Sequence, residues 1–154
     1  MRYYILVVFL ILLFLSGCSN FRDDDYVIKT LEEQFNNEVN AADIKKLTIS
    51  NREIVIYQSS DKIFVCIFTE KELLKVNEID YNALSSEKIF YAYSEDSKED
   101  LYYVTGGIAK DKTPLLLLNK KPLETDIISM DHAYIFISLF EKPLDKPAKF
   151  ELGD

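Results

Sequence analysis

The sequence predicts an α+β fold in which an N-terminal amphipathic helix packs on an antiparallel β-sheet and a small β-sandwich-like module ends the chain. Three observations carry this prediction. Apolar residues recur with helical spacing over residues 24 to 39. Runs rich in β-branched and aromatic residues follow from residue 47 onward, and turn residues separate them. All four prolines lie after residue 105, so that the last third divides into short runs.

The predicted helix has one apolar face and a capped start. Ile28, Leu31, Phe35 and Val39 are spaced by three, four and four residues, which places them on the same side of a helix. We interpret this face as one that packs on the sheet, and the alternative is a face that binds a partner. The aspartates at 23 to 25 are expected to cap the helix and to complement its positive end.

The middle of the chain is predicted to be strands and turns. The run at residues 62 to 69 is almost continuously apolar, which is typical of a central strand. Two tyrosine-rich runs are predicted to form a hairpin whose tip is residues 94 to 100. The predicted strands cover residues 47 to 49, 53 to 57, 62 to 69, 88 to 93 and 101 to 105.

Two features of this region remain open at the level of sequence. Residues 70 to 87 fit a short helix that opens with a capping box at Thr69 to Glu72, and they fit equally a strand through residues 73 to 76. No glycine or proline occurs between Cys18 and Thr105, and the composition changes at the following glycine pair. We expect one globular domain over residues 24 to 154, and a division into two subdomains near residue 105 is the alternative.

The first 17 residues are predicted to be a signal peptide. Arg2 precedes a wholly apolar run at residues 3 to 15, which is shorter than the roughly 20 residues needed to span a bilayer. Leu15-Ser16-Gly17-Cys18 resembles the lipobox of bacterial lipoproteins. That resemblance implies diacylation of the Cys18 thiol and cleavage before Cys18, which makes residues 18 to 23 a lipidated tether. An uncleaved anchor, or ordinary cleavage beside an incidental cysteine, is the alternative.

The C-terminal third carries a second resemblance. Residues 106 to 143 read GGIAKDKTPLLLLNKKPLETDIISMDHAYIFISLFEKP and follow a lipobox, a helix and a β-meander. This pattern resembles uncharacterised small lipoproteins of Bacillus-type Gram-positive bacteria. The resemblance implies no catalytic residue. The two resemblances together imply a protein anchored by lipid on the extracytoplasmic face of the cell membrane.

Charge and composition exclude several classes of function. The net charge is −8 and there is no basic cluster, which argues against nucleic-acid binding. The single histidine, His132, and the apolar setting of Cys66 give neither a zinc ligand set nor an activated nucleophile. The acidic tip at residues 95 to 100 lacks the spacing and the glycine of an EF-hand loop. We therefore expect no metal, no cofactor and no enzymatic activity.

Tyrosine is the residue type that points most directly to binding. Tyr91, Tyr93, Tyr102 and Tyr103 cluster in the predicted hairpin. Tyrosine is common at recognition surfaces because it offers rigid area and a hydroxyl group, and it is also an ordinary packing residue between paired strands. We take these four residues as the candidate binding face.

The function predicted from sequence is a non-enzymatic binding or accessory role at the membrane surface. The expected partners are membrane lipid, through acylated Cys18, and a protein close to the headgroups, because the tether is short. One alternative is a cell-envelope hydrolase that acts through carboxylates. Another is an immunity or inhibitor lipoprotein whose acidic surface suits a basic target.

Overall fold

The computed structural model describes residues 23–69, 72–85, 88–109, 113–145 and 148–153. The predicted signal peptide and Cys18 therefore lie outside the described residues. The chain divides into two compact units, one that ends at Val39 and one that runs from Asn40 to Asp154.

The first unit contains helix α1 (Asp24–Phe35), whose start agrees with the sequence. Asp23 is the N-cap, and its carboxylate accepts a hydrogen bond from the backbone N–H of Asp25 at 3.4 Å. This confirms the predicted capping role. The helix ends because Asn36 adopts a left-handed conformation, with φ of 53°, and donates its backbone N–H to the carbonyl oxygen of Glu32 at 2.8 Å.

The helix is shorter than predicted. The apolar spacing continues to Val39, but the helical conformation of the backbone ends at Phe35. The side chains of Val27 and Leu31 are its buried residues. Among the described residues, no helix combines the length and the apolar character that crossing a bilayer requires.

The second unit, in its described part, consists of three antiparallel sheets and two short 3₁₀ helices, Ala41–Asp43 and Tyr81–Ala83. The first sheet has the order β1-β2-β3-β4, the second β5-β6-β10-β9 and the third β11-β7-β8. The strands are β1 (Ile44–Ile49), β2 (Arg52–Ser59), β3 (Lys62–Phe68), β4 (Leu73–Asp80), β5 (Phe90–Asp96), β6 (Leu101–Ala109), β7 (Leu116–Leu118), β8 (Lys121–Pro122), β9 (Asp126–Ser129), β10 (Ala133–Phe140) and β11 (Phe150–Leu152).

The first two sheets face each other across one hydrophobic core. Alternate residues of their strands point inward, as the period of two along a strand requires. The shared core includes Ile54, Ile56, Ile63, Val65, Ile67 and Ile79 from the first sheet, with Leu101, Tyr103, Ala133, Ile135 and Ile137 from the second.

The third sheet packs on the opposite face of the second sheet. Val104 and Phe136 of the second sheet form a buried cluster there with Leu116 and Phe150 of the third. The second sheet is therefore covered on both faces. This explains why Leu101 to Ile108 of strand β6 are buried without alternation.

The predicted α+β fold class is wrong. The described structure is mostly antiparallel β, with one short α-helix that belongs to a separate compact unit. The C-terminal strands β9 and β10 do not form a small sandwich of their own, because they complete the sheet that the β5–β6 hairpin begins. Helical spacing and short strand runs identify individual elements, but they do not specify which element covers which.

Several local predictions are confirmed. Residues 62 to 69 give the central strand β3, and residues 88 to 105 give the β5–β6 hairpin. In the region that sequence left open, the strand interpretation holds, because β4 occupies Leu73–Asp80. Strand β6 continues through residue 105 to Ala109 without a break.

Candidate functional site

The β5–β6 hairpin positions all four candidate tyrosines. Its antiparallel register places Tyr91 opposite Gly106, Tyr93 opposite Val104, and Glu95 opposite Tyr102. Because residues two apart along a strand share a face, Tyr91, Tyr93 and Tyr102 point away from the first sheet. Tyr103 points the other way, into the core between the first two sheets.

Tyr91 and Tyr93 are held by the segments that lie over this outer face. The Tyr91 ring lies 4.7 Å from the Phe150 ring, measured between centroids, and 39% of the residue remains exposed. The Tyr93 hydroxyl oxygen accepts a hydrogen bond from the backbone N–H of Leu144 at 2.9 Å. Its ring meets Phe140 edge-on, with 6.3 Å between centroids. Both rings therefore pack against residues of the covering segments, and Tyr91 is the more exposed of the two.

Tyr102 and Tyr103 are almost fully buried, with exposed fractions of 8% and 2%. Burial, and then the negative charge of Asp100, raises the pKa of Tyr102. The Tyr103 hydroxyl reaches the first sheet, where the side-chain N–H of Asn77 donates to it at 3.1 Å. Of the four candidates, Tyr91 and Tyr93 thus offer the accessible ring surface. The role of the group as a binding face stays a prediction.

The acidic tip of the hairpin is an organised turn. The Asp96 carboxylate oxygen Oδ1 accepts hydrogen bonds from the backbone N–H groups of Lys98, at 3.1 Å, and Glu99, at 3.4 Å. Its Oδ2 lies 2.8 Å from the Lys75 ammonium of strand β4. The hydrogen bond from Lys75 lowers the pKa of Asp96. Asp96 therefore serves the turn and an ion pair between the first two sheets.

A second contact holds the same tip. The Arg52 guanidinium, at the start of β2, donates to the backbone oxygen of Glu99 at 2.9 Å. Together with the Lys75–Asp96 pair and the Asn77–Tyr103 hydrogen bond, it fastens the hairpin to the first sheet. The sequence does not reveal these contacts, because each joins residues that are more than 20 positions apart.

The thiol of Cys66 is fully buried in β3, as its apolar neighbours predicted. Burial raises its pKa to about 12. A thiol with that pKa stays protonated at physiological pH and is a poor nucleophile. His132 is exposed in the turn between β9 and β10. In the described segments of the chain, no three side chains of His, Cys, Asp or Glu gather as metal ligands.

A small cavity of about 120 Å³ opens beside the turn between β9 and β10, and sequence reasoning did not identify it. Its lining comprises Ala42, Asp43, Lys45, Gln58, Met130 and Asp131. The Lys45 ammonium donates to the backbone oxygen of Ser129. Burial of Tyr81, and then the negative charge of Asp131, raise the pKa of the Tyr81 hydroxyl group. The cavity is polar and holds charges of both signs.

Comparison with known proteins identifies no relative of this chain. No family model, no curated protein and no solved structure matches this chain. The site is therefore interpreted from its own residues.

Proposed function

We propose that this protein is a lipid-anchored extracytoplasmic protein with a non-enzymatic binding or accessory role at the membrane surface. The observation that carries the proposal is the Leu15-Ser16-Gly17-Cys18 sequence directly after the apolar run at residues 3 to 15. A cysteine at this place is the residue that lipoprotein maturation requires. The anchor would consist of at least two acyl chains on Cys18, which hold a protein stably where one chain holds it only reversibly.

The length of the tether limits where a partner can bind. Helix α1 begins at Asp24, so at most about six residues separate the proposed anchor from folded chain. Even fully extended, six residues reach only about 20 Å. The folded part would thus stay close to the lipid headgroups, and its direct partners would lie on or near the membrane.

The surface proposed to bind a partner is the ring surface of Tyr91 and Tyr93. The rings contact Phe150 and Phe140, and the Tyr93 hydroxyl bonds the backbone of Leu144; such contacts restrict the side chains and would lower the entropy that binding costs. Aromatic anchors of this kind contribute much of the binding energy at protein interfaces.

The lipid anchor is tested by labelling cells with radioactive palmitate. We expect label on the wild-type protein and none on Cys18→Ala, because the substitution removes the acylated thiol. Cys66→Ser is the matched control, since it removes the buried thiol and should keep the label. Unchanged labelling of Cys18→Ala would contradict the anchor.

The binding face is tested by cross-linking in intact cells that express the full chain. We expect Tyr91→Ala to reduce the recovery of a cross-linked partner several-fold. Tyr26→Ala is the matched control, because Tyr26 is equally exposed, at 40%, but lies on helix α1. Equal recovery from both variants would remove the hairpin tyrosines from the proposal.

A further inference from the structure

One turn of the third sheet holds a lysine in a backbone conformation that lysine does not favour. Leu118 of β7 pairs with Lys121 of β8, so only Asn119 and Lys120 form the turn. Both have positive φ, 51° for Asn119 and 66° for Lys120. A two-residue turn of this kind favours asparagine followed by glycine, because glycine has no Cβ to clash. Lys120 therefore occupies a position that the backbone reserves for glycine.

The matching turn of the first sheet shows the difference. Ser50 and Asn51 join β1 to β2, since Ile49 pairs with Arg52, and their φ values are 48° and 61°. The second position there is an asparagine, whose short polar side chain tolerates the left-handed conformation. Lysine has no such side chain. A residue kept in a disfavoured conformation is a reason to ask what its side chain does.

Lys149 lies beside this turn. Its backbone N–H donates to the side-chain oxygen of Asn119 at 3.0 Å, and its carbonyl oxygen accepts from the Asn119 N–H at 2.9 Å. The Lys149 ammonium pairs with Glu151, yet 69% of the Lys149 side chain stays exposed. The hydrogen bond from Lys149, and then the charges of Lys149 and Lys120, lower the pKa of Glu151. Lys121 is also exposed. We call Lys120, Lys121 and Lys149 the lysine cluster.

The lysine cluster borders the exposed ring of Tyr91. Phe150 follows Lys149 in the chain, and the Phe150 ring lies 4.7 Å from the Tyr91 ring between centroids. The Tyr91 hydroxyl also contributes, after Glu151, to the raised pKa of Lys149. Tyr91 and the lysine cluster therefore form one continuous surface.

The Tyr93 side of the ring surface carries acids instead. Leu144, whose backbone N–H donates to the Tyr93 hydroxyl, is followed by the exposed Asp145. Glu95 is exposed two positions after Tyr93, on the same face of β5. A broadly acidic partner would be repelled on this side. The charges therefore favour a partner whose acidic groups are confined to the part that lies opposite Tyr91.

We propose that the lysine cluster binds a carboxylate-bearing segment of the protein partner that contacts Tyr91. The cluster has three ammonium groups against the one carboxylate of Glu151, so it keeps positive charge in a chain whose net charge is −8. Opposite charges across an interface orient a partner and speed its encounter. The inference rests on the proposed function, because it names the chemistry of the partner at the proposed binding face.

The experiment treats cells that express the full chain with a water-soluble carbodiimide. This reagent activates a carboxyl group, and a lysine amine in contact with that group forms an amide while the carbodiimide leaves as a urea. We expect mass spectrometry to find links between acidic residues of a partner and the lysine cluster. The link between Lys149 and Glu151 within the chain should form as well, which shows that the reagent reached this surface. Internal links alone would overturn the proposal.

The variant Lys120→Gly separates binding from folding. It removes one ammonium group and places the favoured residue in the turn, so the melting temperature should not fall. The yield of linked partner should fall by about two- to five-fold, the usual effect of losing one exposed ion pair. Asn51→Gly is the matched control, because it places glycine at the same position of the β1–β2 turn, and it should keep the yield. Equal yields from the two variants would overturn the proposal.

The failure of this inference can be told from the failure of the proposed function. If Tyr91→Ala lowers partner recovery but no partner is linked through the lysine cluster, the binding face stands and the acidic partner segment is wrong. If no partner is recovered by either method, both are wrong. Lipid phosphate forms no amide with lysine. Membrane attachment that depends on Lys120 without any carbodiimide link to a partner would therefore also overturn the proposal, in favour of anionic headgroups.

Discussion

Gly106 provides the close approach of three strands in the second sheet. A Cβ atom at this position would lie 2.2 Å from the backbone oxygen of Phe90 and 2.4 Å from Cζ of the Phe136 ring. Phe136 lies directly across the sheet from Gly106 and is fully buried in the cluster under the third sheet. The glycine is thus needed because there is no room for a side chain, and not because the chain turns there. From sequence, the change in composition at the glycine pair had left a subdomain boundary near residue 105 open.

We expect Gly106→Ala to lower the free energy of unfolding by about 1–3 kcal/mol, the usual cost of overpacking. Urea denaturation followed by circular dichroism measures this change. Gly153→Ala is the control, because its Cβ would meet the side chain of Leu115, which is 48% exposed and can move. A larger loss in Gly153→Ala than in Gly106→Ala would contradict this account.

Because of Cys66, we expect the stability of the folded chain to depend on pH in the alkaline range. Its thiol has a pKa of about 12 in the folded chain and 9.0 when unperturbed, so between these values the unfolded chain releases a proton that the folded chain keeps. The contribution of this thiol to the free energy of unfolding is therefore fully present below pH 9, and it is lost as the pH rises towards 12. The fall amounts to about 1.4 kcal/mol per pH unit.

Unfolding of wild type and Cys66→Ala across this pH range tests the assignment. The wild type should lose stability more steeply, by the stated slope, because the variant has no thiol to titrate. Parallel pH profiles of the two proteins would show that burial of the Cys66 thiol has no such effect.

At the scale of elements, the β5–β6 hairpin is the structure that joins the first two sheets at one end. Its tip meets β4 through the Lys75–Asp96 pair and the start of β2 through Arg52, while Tyr103 reaches Asn77 from its buried face. The same hairpin carries the accessible tyrosines Tyr91 and Tyr93. The proposed binding surface therefore lies on a strand pair that also contacts the first sheet.

The Lys75–Asp96 pair should give a pH dependence on the acid side. Lys75 lowers the pKa of Asp96 below its usual 3.8, so this group stabilises the fold above that pH, and the contribution is lost as the pH falls through the lower folded value. Lys75→Met should therefore unfold at lower urea than wild type near neutrality and lose less of its stability below pH 4.

Urea midpoints between pH 7 and pH 2 measure this difference. Lys29→Met is the control, since the exposed Lys29–Glu33 pair of helix α1 is 3.9 Å apart and should leave the profile of the wild type unchanged. A Lys75→Met profile that runs parallel to the wild type would exclude the ion pair as its cause.

At the scale of the whole molecule, the second compact unit is layered. Strands from before and after residue 100 supply the same core, because β2 and β3 face β6 and β10 across it. Neither half contains a complete core by itself. The unit from Asn40 onward should therefore unfold cooperatively.

Hydrogen exchange tests this cooperativity. Ile135→Ala, in the fully buried centre of β10, should lower the opening free energy of β2 and β3 amides in the facing sheet by about 2–5 kcal/mol, the usual cost of such a cavity. Leu115→Ala, at an exposed position, should leave these amides unchanged. Undiminished protection of β2 and β3 in Ile135→Ala would show that the sheets open separately.

The sequence by itself determined what depends on neighbours along the chain. The start of α1 at its aspartate cap, the central strand β3 and the β5–β6 hairpin followed from side-chain period and turn residues, which act over a few positions. The burial of Cys66 followed from its apolar strand in the same way.

Only the tertiary structure decided which elements meet. The pairing of β6 with β10 joins residues such as Thr105 and Ile137, and the Asn77–Tyr103 contact spans 26 positions, so neither leaves a local pattern in the sequence. The fold class depended on these contacts. The same residue pattern along a strand is compatible with a sheet that is covered by a helix and with a sheet that is covered by another sheet. Which tyrosines stay accessible was decided by the same packing, since the second sheet is covered on both of its faces.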